Sequence, residues 1–477
     1  MAALETWLVK VRKTIAQGLD SVRAAPPATK KIAIRKSNVG VLAFEIAGMM
    51  SKLVHLWQSL SDASIARLRG EAICLEGVRK IVSNDDAFLL GLACAELAEN
   101  LRLIAKSVAR MSSRCEDPNL RRFDRLFDEF ANSGRDPHTW LLNAKEMEIK
   151  MRKLDRLVGA AAALHREMDE LVALENGLKK SAHSKENDAS IKAKKITDLQ
   201  QKIIWQRQQV KYSKEKCLWS RSFDTVISTL AKCVFTILAR IKLVFGVNHG
   251  FPISLPRSLS ASALVHPWET TTNTPGFVSG PLTKTSPNLQ PREGFFDLNS
   301  KILKPPPTTL GAAALSLHYS NLIIVMEKMI RSPQLVGADA RDDLYSMLPN
   351  SIRFALRRRL KGVGFSASDP FLAGEWRDAL QKILGWLSPL AHNMIRWQSE
   401  RSFEHQNLVP KTNVLLLQTL HFANQDKTEA AITELLVGLN YIWRFEREMN
   451  AKAILQYSNF NGSLCMMNSS PSPQGQS

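Results

Sequence analysis

Residues 309–360 read TLGAAALSLHYSNLIIVMEKMIRSPQLVGADARDDLYSMLPNSIRFALRRRL. The stretch follows Pro305, Pro306 and Pro307, which cannot continue a helix from upstream. Thr308 or Thr309 is then placed to cap a new one. Leu310, Ala314, Leu317, Asn321, Ile324 and Lys328 trace one helical row, and Ala313, Leu315, Leu322, Val325, Met326 and Met329 fill most of the remainder. A helix apolar nearly all round is predicted to be a buried central helix. Gly311 and Ala312 to Ala314 give it a narrow first turn for close packing, and Pro333 and Gly337 end it. A second helix starts near Asp339, where Asp342 and Asp343 suit the positive end of the helix dipole. Beyond the bend at Pro349, residues 351–361 read as a third helix, apolar on one side and carrying Arg353, Arg357, Arg358, Arg359 and Lys361.

Helical periodicity extends outward in both directions. Residues 39–111 divide into about three helices at Ser61-Asp62 and Ser83 to Asp86, where N-cap residues interrupt the apolar spacing. Phe88, Leu89, Leu92, Glu96, Leu97, Leu101 and Ile104 form the stripe of the third. Met147, Met151, Leu154, Val158, Ala161, His165, Met168 and Val172 alternate by four and three, which is a heptad seam. A second helix resumes after residues 181–188, so the pair reads as an antiparallel hairpin closed on itself or as a coiled coil forming a homodimer through 147–172. Residues 223–245 complete the bundle. C-terminal to the opening stretch, helices are predicted over 375–399 with a kink at Pro389, over 414–422, and over 427–455.

The expected fold class is all-α, a multi-helix bundle with a long helical hairpin or coiled coil and a disordered linker. The linker is placed at 246–307, where Pro, Ser, Thr and Gly accumulate without periodicity. The remaining divisions are an amphipathic basic N-terminal helix with its linker at 1–36, an N-terminal helical domain at 37–140, and the hairpin with its closing helix at 141–245. A C-terminal helical domain at 308–456 and a disordered tail at 457–477 complete the chain.

At 477 residues and 45% hydrophobic content, there is material for more than one sizeable core. The formal net charge of +19 implies attraction to something anionic: an acidic membrane leaflet, nucleic acid or acidic proteins. No recognition module or aromatic stacking platform accompanies that charge, so specific nucleic-acid binding is not expected. The six cysteines have no CxxC spacing and read as reduced thiols. No secretory signal is recognised, and the apolar run at 225–239 is too short for a span and contains Lys232. An intracellular protein is expected. Leu4, Trp7, Leu8, Val11 and Ile15 repeat at helical spacing beside Lys10, Arg12 and Lys13. Such a helix packs onto the protein's own core, lies on an anionic membrane, or meets a partner.

The catalytic inventory is thin. The sequence has no phosphate loop, no HExxH, no GxSxG and no kinase set. His318, His392 and His421 are expected in helices without a carboxylate partner at ligand spacing, and paired acids such as Asp85-Asp86 sit at helix starts, where capping accounts for them. No enzyme activity, cofactor or metal is expected. Arg353, Arg357, Arg358, Arg359 and Lys361 form the most suggestive short motif: an import signal, a phosphate contact or a solvated face. Ser258, Ser260 and Ser286 lie in kinase-like contexts in the linker.

Two segments resemble the plant PSK-simulator family. VGVLAFEIAGMMSKLVHLWQSLSD, residues 39–62, is similar to the start of its N-terminal domain. Residues 309–360 are similar to its C-terminal domain, with the TLG-A-L-HY-N-I---E opening and then Arg341, Leu344, Tyr345, Leu348, Pro349, Ile352, Leu356, Arg357 and Leu360 at the family's positions. The resemblance implies growth promotion in signalling by the peptide hormone phytosulfokine, residence in the nucleus or at the plasma-membrane periphery, and no catalysis. Some members begin Met-Gly and look N-myristoylated, whereas this sequence begins Met-Ala-Ala. The N-terminal helix is therefore the expected membrane device. The reading that results is a non-enzymatic regulator or scaffold acting through protein contacts; the alternative is a peripheral membrane or trafficking adaptor.

Overall fold

A computed structural model describes residues 39–136, 138–183, 189–246, 294–332, 336–361, 367–402 and 414–467. The N-terminal helix, most of the predicted linker with its three serines, and residues 468–477 lie outside the described residues. The described residues form helices without a sheet, as the periodicity predicts; one isolated bridge joins Thr309 to Asn424.

Helix α1, Ala43–Ser59, buries Ile46, Ala47, Met50 and Leu53. Ser61 caps the short α2, Asp62–Arg67, by accepting from the Ser64 amide. The single helix expected between Ser61 and Ser83 is broken here: residues 68–72 and 78–82 wind as π-turns. Gly77 lies between them, and a side chain there would strike the Trp386 carbonyl and Leu390, so the chain bends where another helix crosses closely. Asp85 caps α3, Asp86–Ser112, through the Ala87 amide at 2.9 Å. Asp117 caps α4, Pro118–Arg121. Helix α5, Phe123–Ser133, stops at Gly134, whose φ of 74° is the left-handed cap that glycine adopts without strain.

Helices α6, Ala144–His183, and α7, Ala189–Lys216, form an antiparallel hairpin; Gln206 donates to the Glu167 carbonyl at 3.0 Å. The seam of α6 is buried at Met147, Met151, Leu154, Val158 and Ala161, first against α1 and then against α7. Beyond Ala161 the heptad reading is corrected: Leu164 is buried, while His165 and Val172 are exposed. An α-helix drifts about 20° per heptad against a strict seven-residue repeat, so an unsupercoiled helix carries the seam off those positions. Helix α8, Phe223–Val244, is the best-buried element, and among the described residues no helix is long and apolar enough to cross a membrane.

The predicted linker ends earlier than expected. Residues 295–302 form α9, Phe295–Ile302, which packs on α3. Phe296 lies 5.5 Å from Phe127, within an aromatic group that includes Phe123, Phe130, Trp140 and Phe235. Two adjacent phenylalanines anchor the segment, too short a signal to show periodicity.

The opening stretch also departs from its reading at one end. Residues 309–315 are a turn and not a first helical turn: Leu310 donates to Ala423 O and Gly311 to His421 O, both at 2.9 Å, and Ala314 takes a left-handed φ of 56°. Helix α10 is Ser316–Arg331, followed by α11, Ala338–Met347, and α12, Asn350–Leu360. Helix α13, Pro370–Ser402, runs through Pro389, and α14, Gln425–Met467, closes the fold against both α12 and α13. The helix expected at 414–422 is reduced to a 3-10 turn, Leu416–Gln418, because this segment spends its backbone on the turn at 309–311 and on Glu96. The tail expected from 457 remains helical to Met467.

Candidate functional site

One interior group of polar side chains lies where α3 and the C-terminal helices meet. Glu96 sits on the apolar stripe of α3 and is 4% exposed. One carboxylate oxygen accepts from Trp397 Nε1 at 3.1 Å and faces Arg401 at 3.5 Å; the other accepts from the Leu416 amide at 2.5 Å. Burial pushes its carboxyl up, and the three donors pull the other way without prevailing. Arg401 lies 3.9 Å above the Trp397 ring. Nearby, Leu68, Leu75, Leu97 and Leu415 line a shallow cleft of about 290 Å³, with Arg67 and Glu71 exposed at its side.

A second group ties α10 to α13. Glu327, 5% exposed, accepts from His392 Nε2 at 2.7 Å and from Arg331 at 2.6 Å. His392 has no carboxylate at ligand spacing along the chain, and the one it meets is 65 positions away, where sequence spacing cannot see it. Nor does His421 lie in a helix; it belongs to the turn against Gly311. A histidine held by a carboxylate is the orienting half of a nucleophile dyad. One Glu327 oxygen meets Arg331 on its own helix and the other meets His392 on α13, so the group ties α10 to α13. Tyr319 likewise donates to Glu429 at 2.7 Å, which also accepts from Gln425 at 2.8 Å. Burial and that carboxylate push the tyrosine hydroxyl up.

The basic positions on α12 are partly engaged. Arg353 donates to Ser346 O at 2.6 Å and stacks over Tyr345; Arg357 donates to the Tyr345 hydroxyl at 2.8 Å. Arg359 pairs with Glu434 at 2.7 Å. Arg358 and Lys361 are exposed. Leu4, Trp7, Leu8, Val11, Ile15, Ser258, Ser260 and Ser286 fall outside the described residues.

Burial pushes the thiols of Cys94, Cys115 and Cys233 up to about 12, which makes them poor nucleophiles, while Cys74 is exposed. Among the described residues no group of three or more His, Cys, Asp or Glu side chains could hold a metal. The sequence signal for the buried groups was a carboxylate inside an apolar stripe, at Glu96 and at Glu327.

Comparison with known proteins matches two segments of the chain, the first containing Glu96 and the second ending just before Trp397. Residues 41–97 match a domain of unknown function, DUF3475, and residues 309–396 match a protein of unknown function, DUF668. The chain is 27% identical to Protein PSK SIMULATOR 3 of Arabidopsis thaliana over 87% of its own length and 58% of that protein's. It is 26% identical to Protein PSK SIMULATOR 1 of the same plant, over 91% of this chain and 60% of that one. Protein PSK SIMULATOR 2 is also 26% identical, over 89% and 63%. The chain thus spans about three fifths of the length of these relatives. No solved structure matches it.

Proposed function

From the similarity of this chain to the PSK SIMULATOR proteins over most of its length, we propose that it is a non-enzymatic regulator of plant growth, working in phytosulfokine signalling as a helical scaffold for other proteins. The observation that carries this reading is the extent of the similarity, 87–91% of the chain. The use of the interior carboxylates to fasten helices supports it. So does the exposure of Arg358 and Lys361, which leaves basic surface for partners or for nuclear import. Plants lacking the protein are expected to grow less and to respond weakly to applied phytosulfokine. Normal growth with a normal hormone response would overturn the proposal.

The net charge of +19 and the amphipathic pattern of Leu4, Trp7, Leu8, Val11 and Ile15 favour a second reading, a peripheral adaptor at the plasma membrane. Flotation with phosphatidylserine vesicles separates the two. Binding that disappears on deleting residues 1–27 supports the adaptor, and no binding removes it.

A further inference from the structure

Helix α7 carries a second seam on the side away from its partner. Its inner face buries Ile203, Gln206 and Val210 against α6. On the outer face Gln201, Trp205, Gln208 and Tyr212 recur at spacings of four, three and four. Trp205 and Tyr212, one heptad apart, are its aromatic members, and the glutamines alternate with them. Trp205 is 62% exposed, Tyr212 51% and the neighbouring Ile204 68%, in a protein that buries most of its large apolar side chains. Lys202 and Lys211 flank this row on opposite sides, Lys194 and Asp198 extend it at one end and Glu215 at the other, and Lys216 covers the Tyr212 ring at 4.0 Å. Arg207, by contrast, is already paired with Glu175 at 2.8 Å.

We propose that this outer face of the hairpin docks an acidic amphipathic helix of a partner protein, which packs along α7 on the side opposite α6. The partner helix supplies an apolar seam that covers Ile204 together with Trp205 and Tyr212, aromatic anchors of the kind that dominate such interfaces. It also supplies glutamate or aspartate on both flanks, facing Lys202 and Lys211. A second copy of this chain does not suit the face, since identical lysine flanks would meet. A bilayer suits it less well, because Gln201 and Gln208 interrupt the apolar row that an interfacial helix needs. The inference deepens the scaffold reading by naming the chemistry of a partner.

The test uses a stapled helical peptide with leucine at its seam and glutamate on both flanks, and a twin with lysine flanks, titrated into the full-length protein. The glutamate peptide is expected to bind and the lysine peptide to fail. Trp205→Ala with Tyr212→Ala should weaken binding about tenfold or more, and Lys202→Glu with Lys211→Glu should reverse the preference between the peptides. All four positions are exposed, so circular dichroism should show an unchanged fold. Equal binding of both peptides, binding of neither, or indifference to the variants would overturn the proposal. Flotation on phosphatidylserine vesicles that is lost in the aromatic variant would also overturn it, in favour of a membrane. A plant growth defect alongside failed peptide binding would sink the docking face and leave the scaffold role standing.

Discussion

Glu96 spends both carboxylate oxygens on donors from distant parts of the chain, Trp397 Nε1 and the Leu416 amide. Replacing it with alanine strands both donors in a buried site, where an unsatisfied polar group costs about 1–3 kcal/mol. Glu96→Ala is therefore expected to cost about 2–4 kcal/mol by denaturant unfolding. The pH dependence has a definite sign. The folded carboxyl is raised above the ordinary 4.5, so between the two values the native state holds more protons than the unfolded one. Stability falls as pH rises through that window. Glu96→Gln, which cannot ionise, should flatten that slope in unfolding curves taken from acid to neutral pH. The sequence showed this carboxylate inside an apolar stripe; its partners, some 300 positions away, were invisible there.

Two elements carry predictions of their own. The turn at 309–311 brings Gly311 against the His421 backbone, and an added Cβ would also lie 2.9 Å from the His421 ring. Gly311→Ala is expected to destabilise by about 2–3 kcal/mol, measured as a fall in melting temperature, because close-packed interiors do not accommodate an extra methyl. Helix α8 is fastened by Lys242, which donates to the Ala131 carbonyl and lies 4.8 Å from the Phe295 ring. Burial lowers its ammonium to about 8 from 10.5. Between those values the unfolded state binds more protons, so stability rises with pH across that window. Lys242→Met should abolish that rise. At pH 7 it should cost less than about 1 kcal/mol, because the relieved desolvation penalty offsets the lost hydrogen bond.

At the scale of the molecule, the two matched segments share one continuous hydrophobic core. The Asn424 amide donates to Ile81 O at 2.7 Å, Trp386 and Leu390 cover Gly77, and α9 packs on α3. Residues 39–246 and 294–467, produced as separate chains in one cell, are expected to co-purify in equal amounts. Either alone should be insoluble or bind a hydrophobic dye, because each exposes the face the other covers. Independent folding of both pieces without association would refute this.

Sequence by itself determined the helices and their inward faces. Apolar spacing of three and four is a local property of a single helix, and it placed α1, α3, α8, α10 and α14 close to where they lie. It also determined the kinship, since the TLG opening and the LP bend are contiguous strings. Only the tertiary structure decided that TLG is a turn, that Phe295 and Phe296 close an aromatic core, and that Glu96, Glu327 and Glu429 join helices far apart in the chain. These features consist of contacts between distant residues. Their free energy comes from burying one element against another, a quantity that no periodicity within either element contains.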